Sequence, residues 1–228
     1  MPAWKDNVRF VLVEPREPGN IGASARAVKN MGFKNLALVN PAPLTGEEQW
    51  FAHNAEEVLQ RAPRHTGLAD AIKDASLVVA VARRTGRRRG MILPLDEAVQ
   101  RLYEEAKSHT VALLFGREDR GLYNREVDEC GLLLTIPSNK EHPSLNLSHA
   151  VAVVAYELSR AEFRTGSAAA GPPGPQAARR YRVKHGELDA LYQRIANVLA
   201  LLDYLPRGDR DIEQHIMQNL KHFIGRAG

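Results

Sequence analysis

The sequence predicts an α/β fold, a mostly parallel sheet with helices packed on both faces, and two observations carry that reading. Short apolar runs recur along the chain at Val8–Val13 (VRFVLV), Leu36–Val39, Leu77–Ala82 (LVVAVA), Val111–Phe115 (VALLF) and Leu132–Ile136 (LLLTI). None has the clean alternation of a strand with one face in water, so each is expected to be covered on both sides. Between them lie longer stretches of helical spacing, and strands alternating with helices in this way imply parallel pairing through crossover connections.

In chain order, the first run leads through the loop EPREPGN to Asn20, which suits an N-cap, and to a helix over Ile21–Met31 closed by Gly32. With the run at Leu36–Val39 this makes a βαβ unit, which requires a right-handed crossover. Residues Asn54 to Ala75 carry one or two helices. Leu95–Lys107 is amphipathic, with Ala98, Val99, Leu102 and Ala106 on one stripe. A short helix over Asn124–Cys130 and a long apolar one over Leu147–Arg164 complete the alternation. From Thr165 to Ala178 (TGSAAAGPPGPQAA) the apolar period disappears, as in a linker. Beyond it Leu188, Leu191, Ile195, Val198, Leu199 and Leu202 recur at helical spacing. Ile212, Ile216, Leu220 and Phe223 do the same after the break at Pro206 and Gly208. Helices with one apolar stripe each bury little alone, so these are expected to dock on the main domain or on a partner subunit. The expected organisation is a main domain over 1–164, a linker over 165–178 and a helical extension over 179–228.

Composition bounds the functional classes. The 228 residues are 44% hydrophobic, enough for one substantial core, with a net charge of +4 and a pI near 9.3 that are compatible with nucleic acid without requiring it. No stretch has the length of apolar residues that a membrane span needs, and MPAWKDN has no apolar signal core, so a cytoplasmic protein is expected. The single cysteine, Cys130, excludes an internal disulfide and a thiolate zinc framework and reads as a packed thiol.

Candidate chemistry gathers where strands end. The loops Gly116–Leu122 and Pro137–Leu147 follow two strand runs and meet at one sheet edge, where ligands sit in open α/β folds. Gly19–Arg26 has the look of a phosphate-cradling turn, but it lacks the G-x-G-x-x-G pattern of a dinucleotide site. Arg26 stands among small neighbours, Ala23, Ser24, Ala25 and Ala27, which leave its guanidinium either solvated or close to the preceding loop. The loop RRTGRRRG holds Arg83, Arg84, Arg87, Arg88 and Arg89, suited to phosphates or simply to water. Glu118 and Asp119 lie between Arg117 and Arg120, which suits a salt-bridged surface turn. Ser144 and Asn146 precede a helix and are suited to capping it. His142 and His149 have no carboxylate placed to complete a metal site, so no metal is expected.

In combination and order, three strings say more: NIGASARAVKNMG at Asn20–Gly32, LLFGREDRGL at Leu113–Leu122 and IPSNKEHPSLNLSHAVAVVAYE at Ile136–Glu157. They resemble the three motifs of the SpoU/TrmH branch of the SPOUT RNA methyltransferases. The linker and C-terminal helices resemble the TrmJ-like subgroup, which methylates the 2′-oxygen of nucleotide 32 in the tRNA anticodon loop. The resemblance implies a C-terminal deep trefoil knot, S-adenosyl-L-methionine as cofactor, a homodimer, tRNA as substrate, and no membrane or metal. It places catalytic roles on Asn20, Arg26, Glu118, Ser144 and Asn146. Arg26 would act either as the base for the ribose hydroxyl or as a charged stabiliser of the alkoxide, since a guanidinium is costly to deprotonate near neutrality. Cofactor contacts would fall on Ala80, Val81, Ala82, Phe115, Gly116, Arg117, Ile136, Ser144, Leu145, Asn146 and Leu147. RNA would be gripped by Arg83, Arg84, Arg87, Arg88, Arg89, Arg117 and Arg120. Two alternatives are a ribosomal RNA 2′-O-methyltransferase of the same family, disfavoured by the lack of an N-terminal RNA-binding extension before Val8, and a non-catalytic RNA-binding dimer.

Overall fold

Every strand run expected from the sequence becomes a strand, and each is covered on both faces. In the computed structural model, which describes residues 3–82, 92–139, 141, 144–164, 183–202 and 216–220, the strands are β1 (Val8–Val13), β2 (Asn35–Val39), β3 (Arg64–His65), β4 (Leu77–Val81), β5 (Ile92–Pro94), β6 (Val111–Phe115) and β7 (Leu132–Thr135). They form one sheet in the order β3-β2-β1-β6-β4-β7-β5, and every adjacent pair is parallel. The helices are α1 (Pro18–Asn30), α2 (Glu47–Ala52), α3 (Glu56–Arg61), α4 (Leu68–Ile72), α5 (Leu95–Ala106), α6 (Asn124–Val127), α7 (Leu147–Arg164) and α8 (His185–Leu201). The linker 165–178 lies outside the described residues, as does most of the last expected helix, of which 216–220 are described and helical.

Alternate strand residues supply two cores. Phe10, Leu12, Val79, Leu113, Phe115 and Leu134 meet α1, α5 and α7 on one face. Val11, Val13, Val78, Ala80, Ala112 and Leu114 meet α4 and α6 on the other. Both side-chain sets of each central strand are therefore out of water, which is why the sequence shows no alternation. The strands β3 and β5, two and three residues long at the sheet's edges, and the short α2 have too little pattern to be read from sequence.

Helix α1 begins at Pro18, not at Ile21. Proline needs no hydrogen-bond acceptor for its nitrogen and presets a helical φ, so it takes the first helical position and moves the N-cap back to Glu17, which makes no side-chain cap. Asn20 is thus a helical residue with its side chain free for other work, which corrects its reading as a cap. The other end is as expected: Gly32 adopts φ +77 and the Phe33 amide donates to the Val28 carbonyl at 3.0 Å.

Close approach elsewhere explains the small residues of α1. A Cβ on Gly22 would stand 2.0 Å from the Glu48 carbonyl oxygen and 2.9 Å from the Ala52 nitrogen, so α2 packs directly on the α1 backbone. Helix α7 covers another side of α1 through a fully buried stripe of Val151, Val154, Ala155, Leu158 and Ala161. Helix α8 docks on the main body by its first turn. The His185 and Gly186 amides donate to the Ala75 and Lys73 carbonyls at 2.8 and 2.9 Å, and the His185 ring meets Glu129 at 3.1 Å. Tyr192 is buried, whereas Leu191, Val198, Leu201 and Leu202 are exposed. No described helix is long and apolar enough to cross a membrane.

The α1–α2 contact leaves no room for a methyl group. Gly22→Ala is expected to lower stability by about 1–3 kcal/mol through forced separation of the helices, read as a lower unfolding midpoint in denaturant; an unchanged midpoint would contradict this packing.

Candidate functional site

Strand β1 has β2 on one side and β6 on the other, so the chain leaves the carboxyl ends of β1 and β6 in divergent directions, the place where open α/β sheets form crevices. The loop after β6 carries Glu118 across this point. Its carboxylate accepts the backbone N–H groups of Arg16 at 3.1 Å and Glu17 at 3.2 Å, and the Asn20 side-chain amide at 3.0 Å. Beside it the Arg16 guanidinium pairs with Asp119 at 2.9 Å.

The chain of bonds continues into the third loop. With its NH2 group committed to a carboxylate, Asn20 offers its carbonyl oxygen, which accepts from the Asn146 amide at 2.8 Å. The Asn146 oxygen in turn accepts the Ser148 N–H at 2.9 Å, the Ser148 hydroxyl at 2.7 Å and the His149 N–H at 3.3 Å, closing the N-terminus of α7. One carboxylate therefore fixes the orientation of two asparagines and joins the start of α1 to two loops that lie 98 and 126 residues further along the chain.

Next to this relay lies a cleft of about 560 Å³ at the carboxyl ends of β4, β6 and β7. Of the residues expected to contact a cofactor, Val81, Ala82, Phe115, Gly116 and Arg117 line it, together with Ile136, Ser144, Leu145 and Leu147. Ala80 does not: its side chain points into the opposite core and is wholly buried there, because successive strand residues face opposite ways. Asn146 is also absent from the wall, its groups being taken up by Asn20 and the start of α7. Tyr123 and Asn124, which the sequence reading missed, complete one wall.

Arg117 corrects a second expectation. Its side chain is fully buried, so it is not on a surface that meets RNA. The guanidinium donates to Glu14 from Nε at 2.7 Å, to Glu126 at 3.0 and 2.8 Å and to the Gly121 carbonyl at 3.2 Å. Its other terminal nitrogen stands 2.7 Å from Glu14, and the plane stacks 3.9 Å from the centre of the Tyr123 ring. Burial opposes the charge, but the bonds to Glu126 and Glu14 outweigh it and hold the guanidinium protonated. Arg120, by contrast, is exposed on the cleft rim and leans on Asp119 at 3.4 Å. Arg26 is exposed on α1 and makes no hydrogen bond or ion pair among the described residues, and it does not line the cleft. Ser144 is exposed at the rim. Arg83, Arg84, Arg87, Arg88 and Arg89 lie outside the described residues. Cys130 is packed as expected, its thiol donating to the Glu126 carbonyl at 3.3 Å, and burial pushes its pKa well above the usual thiol range.

Residues 7–156, which hold β1 through most of α7 and all three joined loops, match the SpoU rRNA Methylase family. The chain belongs to this family. This SpoU methylase is 35% identical over 222 residues to the tRNA (cytidine/uridine-2'-O-)-methyltransferase TrmJ of Sodalis glossinidius, an alignment covering 97% of the chain and 84% of that protein. It is 36% identical over 162 residues to the tRNA (cytidine-2'-O-)-methyltransferase TrmJ of Methanocaldococcus jannaschii, 69% of each. The crystal structure of TrmJ from Z. mobilis ZM4 superposes with a TM-score of 0.79 at 29% identity, covering 95% of this chain and 89% of that one. A structure concerned with 2-OH methylation of C/U34 on tRNA gives a TM-score of 0.53 at 27% identity, covering 69% and 97%.

The ion network of this SpoU methylase carries a pH signature. The hydrogen bond from Arg117 holds the Glu14 carboxyl below its ordinary value of 4.5. A depressed folded-state pKa gives stability that is complete above the unfolded value and is lost as pH falls through the folded one. The wild type is therefore expected to lose stability below about pH 4.5 more steeply than Glu14→Gln, measured as unfolding free energy against pH; Asp74, lowered by Arg9, is common to both and cancels. Parallel curves would refute the assignment.

Proposed function

We propose that this chain is an S-adenosylmethionine-dependent 2′-O-ribose methyltransferase acting on tRNA. The observation that carries the reading is the bonded relay from Glu118 through Asn20 to Asn146 beside the cleft, since it gathers the three family motifs at one place. Relatives aligned over nearly the whole chain bear tRNA 2′-O-methyltransferase names, which favours tRNA over the ribosomal RNA of the family's description. Nucleotide 32 of the anticodon loop is the proposed target.

The cleft suits S-adenosylmethionine in size, falling within the range of small-molecule sites, and in character, being walled by apolar strand ends and a polar rim. Val81, Phe115, Ile136, Leu145 and Leu147 would hold the adenosyl portion, with Ser144 and the Gly116–Arg117 backbone at its polar edges. When bound, S-adenosylmethionine supplies a methyl sulfonium already activated toward an oxygen nucleophile. The chain's own part is to orient the ribose, exclude water and manage the proton of the 2′-hydroxyl, which falls to Arg26 as base or as a charge opposite the developing alkoxide. Arg120 and the cluster Arg83, Arg84, Arg87, Arg88 and Arg89 would hold RNA phosphates.

The same reading includes a deep trefoil knot, consistent with β4 lying between β6 and β7 in the sheet, and a cytoplasmic homodimer. The dimer is supported by large apolar side chains left uncovered on α2 and α7, both of which pack on α1, namely Trp50, Phe51, Tyr156 and Phe163. It also includes the division into a methyltransferase domain at 1–164, a linker at 165–178 and a helical extension at 179–228.

Incubation of total RNA with labelled S-adenosylmethionine, followed by mapping of the modified nucleotide, is expected to place the label on a tRNA ribose; label confined to ribosomal RNA would overturn the substrate. Arg26→Ala is expected to cut turnover by at least about 100-fold while calorimetric cofactor binding persists. Replacing the five loop arginines with glutamine is expected to weaken tRNA binding and reduce the slope of log affinity against log salt. An unchanged slope would remove those arginines from the interface.

A further inference from the structure

We infer that Arg117 is a positioning residue for methyl transfer, its buried guanidinium fixing the turn that aims Glu118 at the loop after β1. The inference rests on the methyltransferase reading above.

Arg117 and Gly121 close a tight turn, with the Arg117 N–H donating to the Gly121 carbonyl at 3.2 Å and the reverse bond at 2.8 Å. The turn is possible because Gly116 has no side chain: a Cβ there would stand 2.1 Å from the Gly121 carbonyl carbon. Glu118 lies inside this turn, and its carboxylate must reach two backbone N–H groups and one side-chain amide within 3.0–3.4 Å. Two backbone bonds close the turn but leave it free to swing about its own base. Arg117 removes that freedom by tying the turn to Glu14 at the end of β1 and to Glu126 on α6.

The tie acts on both ends of one loop. Glu14 opens the loop after β1, and Arg16 and Glu17 follow it. Arg117 holds the loop at Glu14, while the next residue, Glu118, holds it at Arg16 and Glu17. Glu14 adopts φ +48, a conformation that a residue with a side chain keeps only where its surroundings over-determine it. The guanidinium donates four hydrogen bonds and its second terminal nitrogen also stands 2.7 Å from Glu14, in a planar fork that lysine cannot reproduce. Arg117 touches the reacting atoms through no contact of its own side chain. It works through Glu118.

The test uses the full chain. Wild type is first assayed for methyl transfer to tRNA; if it transfers none to any RNA, the methyltransferase reading fails and the inference falls with it. The triple variant Glu14→Gln/Arg117→Met/Glu126→Gln removes the fork at nearly constant volume and leaves no buried charge unpaired. It is expected to unfold cooperatively like the wild type and to lose about 100-fold in kcat/KM for tRNA, the scale of a misplacement of about 1 Å. In a Glu118→Gln background the same triple change is expected to cost less than about threefold, because the residue it acts through is already gone. Arg117→Lys, which keeps a charge between the carboxylates, is measured in parallel and decides the matter if the triple variant does not fold: it is expected to lose activity in the Glu118 background of the wild type and not in that of Glu118→Gln. A folded variant with wild-type kcat/KM, or a loss that multiplies with that of Glu118→Gln, overturns the inference.

Discussion

The Glu118 carboxylate is the fixed point on which the site depends. A helix leaves its first N–H groups without partners, and α1, begun by a proline, has no local side chain to serve them. Glu118 supplies a negative charge at that terminus from the far side of a sheet crevice, where it also suits the helix dipole. One of those groups, the Glu17 N–H at the N-cap, is met together with the Arg16 N–H before it by a residue that must come from another strand, so satisfying it draws two loops together. The start of α7 makes the same demand and meets it with Asn146, whose amide donates in turn to Asn20. Two helix ends are thus served in series, and the order of donors and acceptors along the chain follows from the single charge at its head.

That arrangement needs α1 to sit close to everything around it. It is pressed between the sheet, α2 and α7, and its run of small residues is divided among them: Gly22 against the α2 backbone, Ala25 and Ser24 into the core. Arg26 is the one long side chain within that run, and close packing on the other faces leaves it on the exposed one. An arginine held on a helix whose N-terminus is tied to the cleft loops is placed by the helix, not by partners of its own.

The main strands were legible because burial on both faces produces continuous apolar runs, and α7 was legible because its stripe is long. Elements at the sheet margins were not, since two or three residues at β3 and β5 hold no period. Asn20 was found as a residue of interest but given the wrong task, because Pro18 shifts the helix start and sequence spacing does not show where a proline will be used. Arg117 was misplaced for a different reason. Its nearest opposite charges in sequence are Glu118 and Asp119, yet it pairs with Glu126 nine residues on and Glu14 103 residues away. Gly116 and Gly121 let the turn fold so tightly that adjacent residues face opposite ways, one inward and one toward the crevice. The family resemblance located Asn20, Glu118 and Asn146 without a reason for their company; the bonds among them give it.

Burying Arg117 is poorly explained by stability. Removing a guanidinium from water is expensive, and an apolar side chain of the same volume would fill the space at less cost. One cation between two carboxylates also leaves an excess of negative charge, eased by the Tyr123 N–H that Glu126 accepts at 2.8 Å and by the partial exposure of Glu14. What an apolar residue lacks is direction. A methionine fits a hole in several rotamers, whereas a planar fork with five donors, held by partners on a strand end, a helix and a turn, is satisfied in one orientation. The residue that follows it must bring a carboxylate within hydrogen-bond reach of three donors at once, and a turn free to swing would lose at least one of them. The network's desolvation cost is therefore matched by its geometric consequence, which is that Glu118 meets the loop after β1 in a single way.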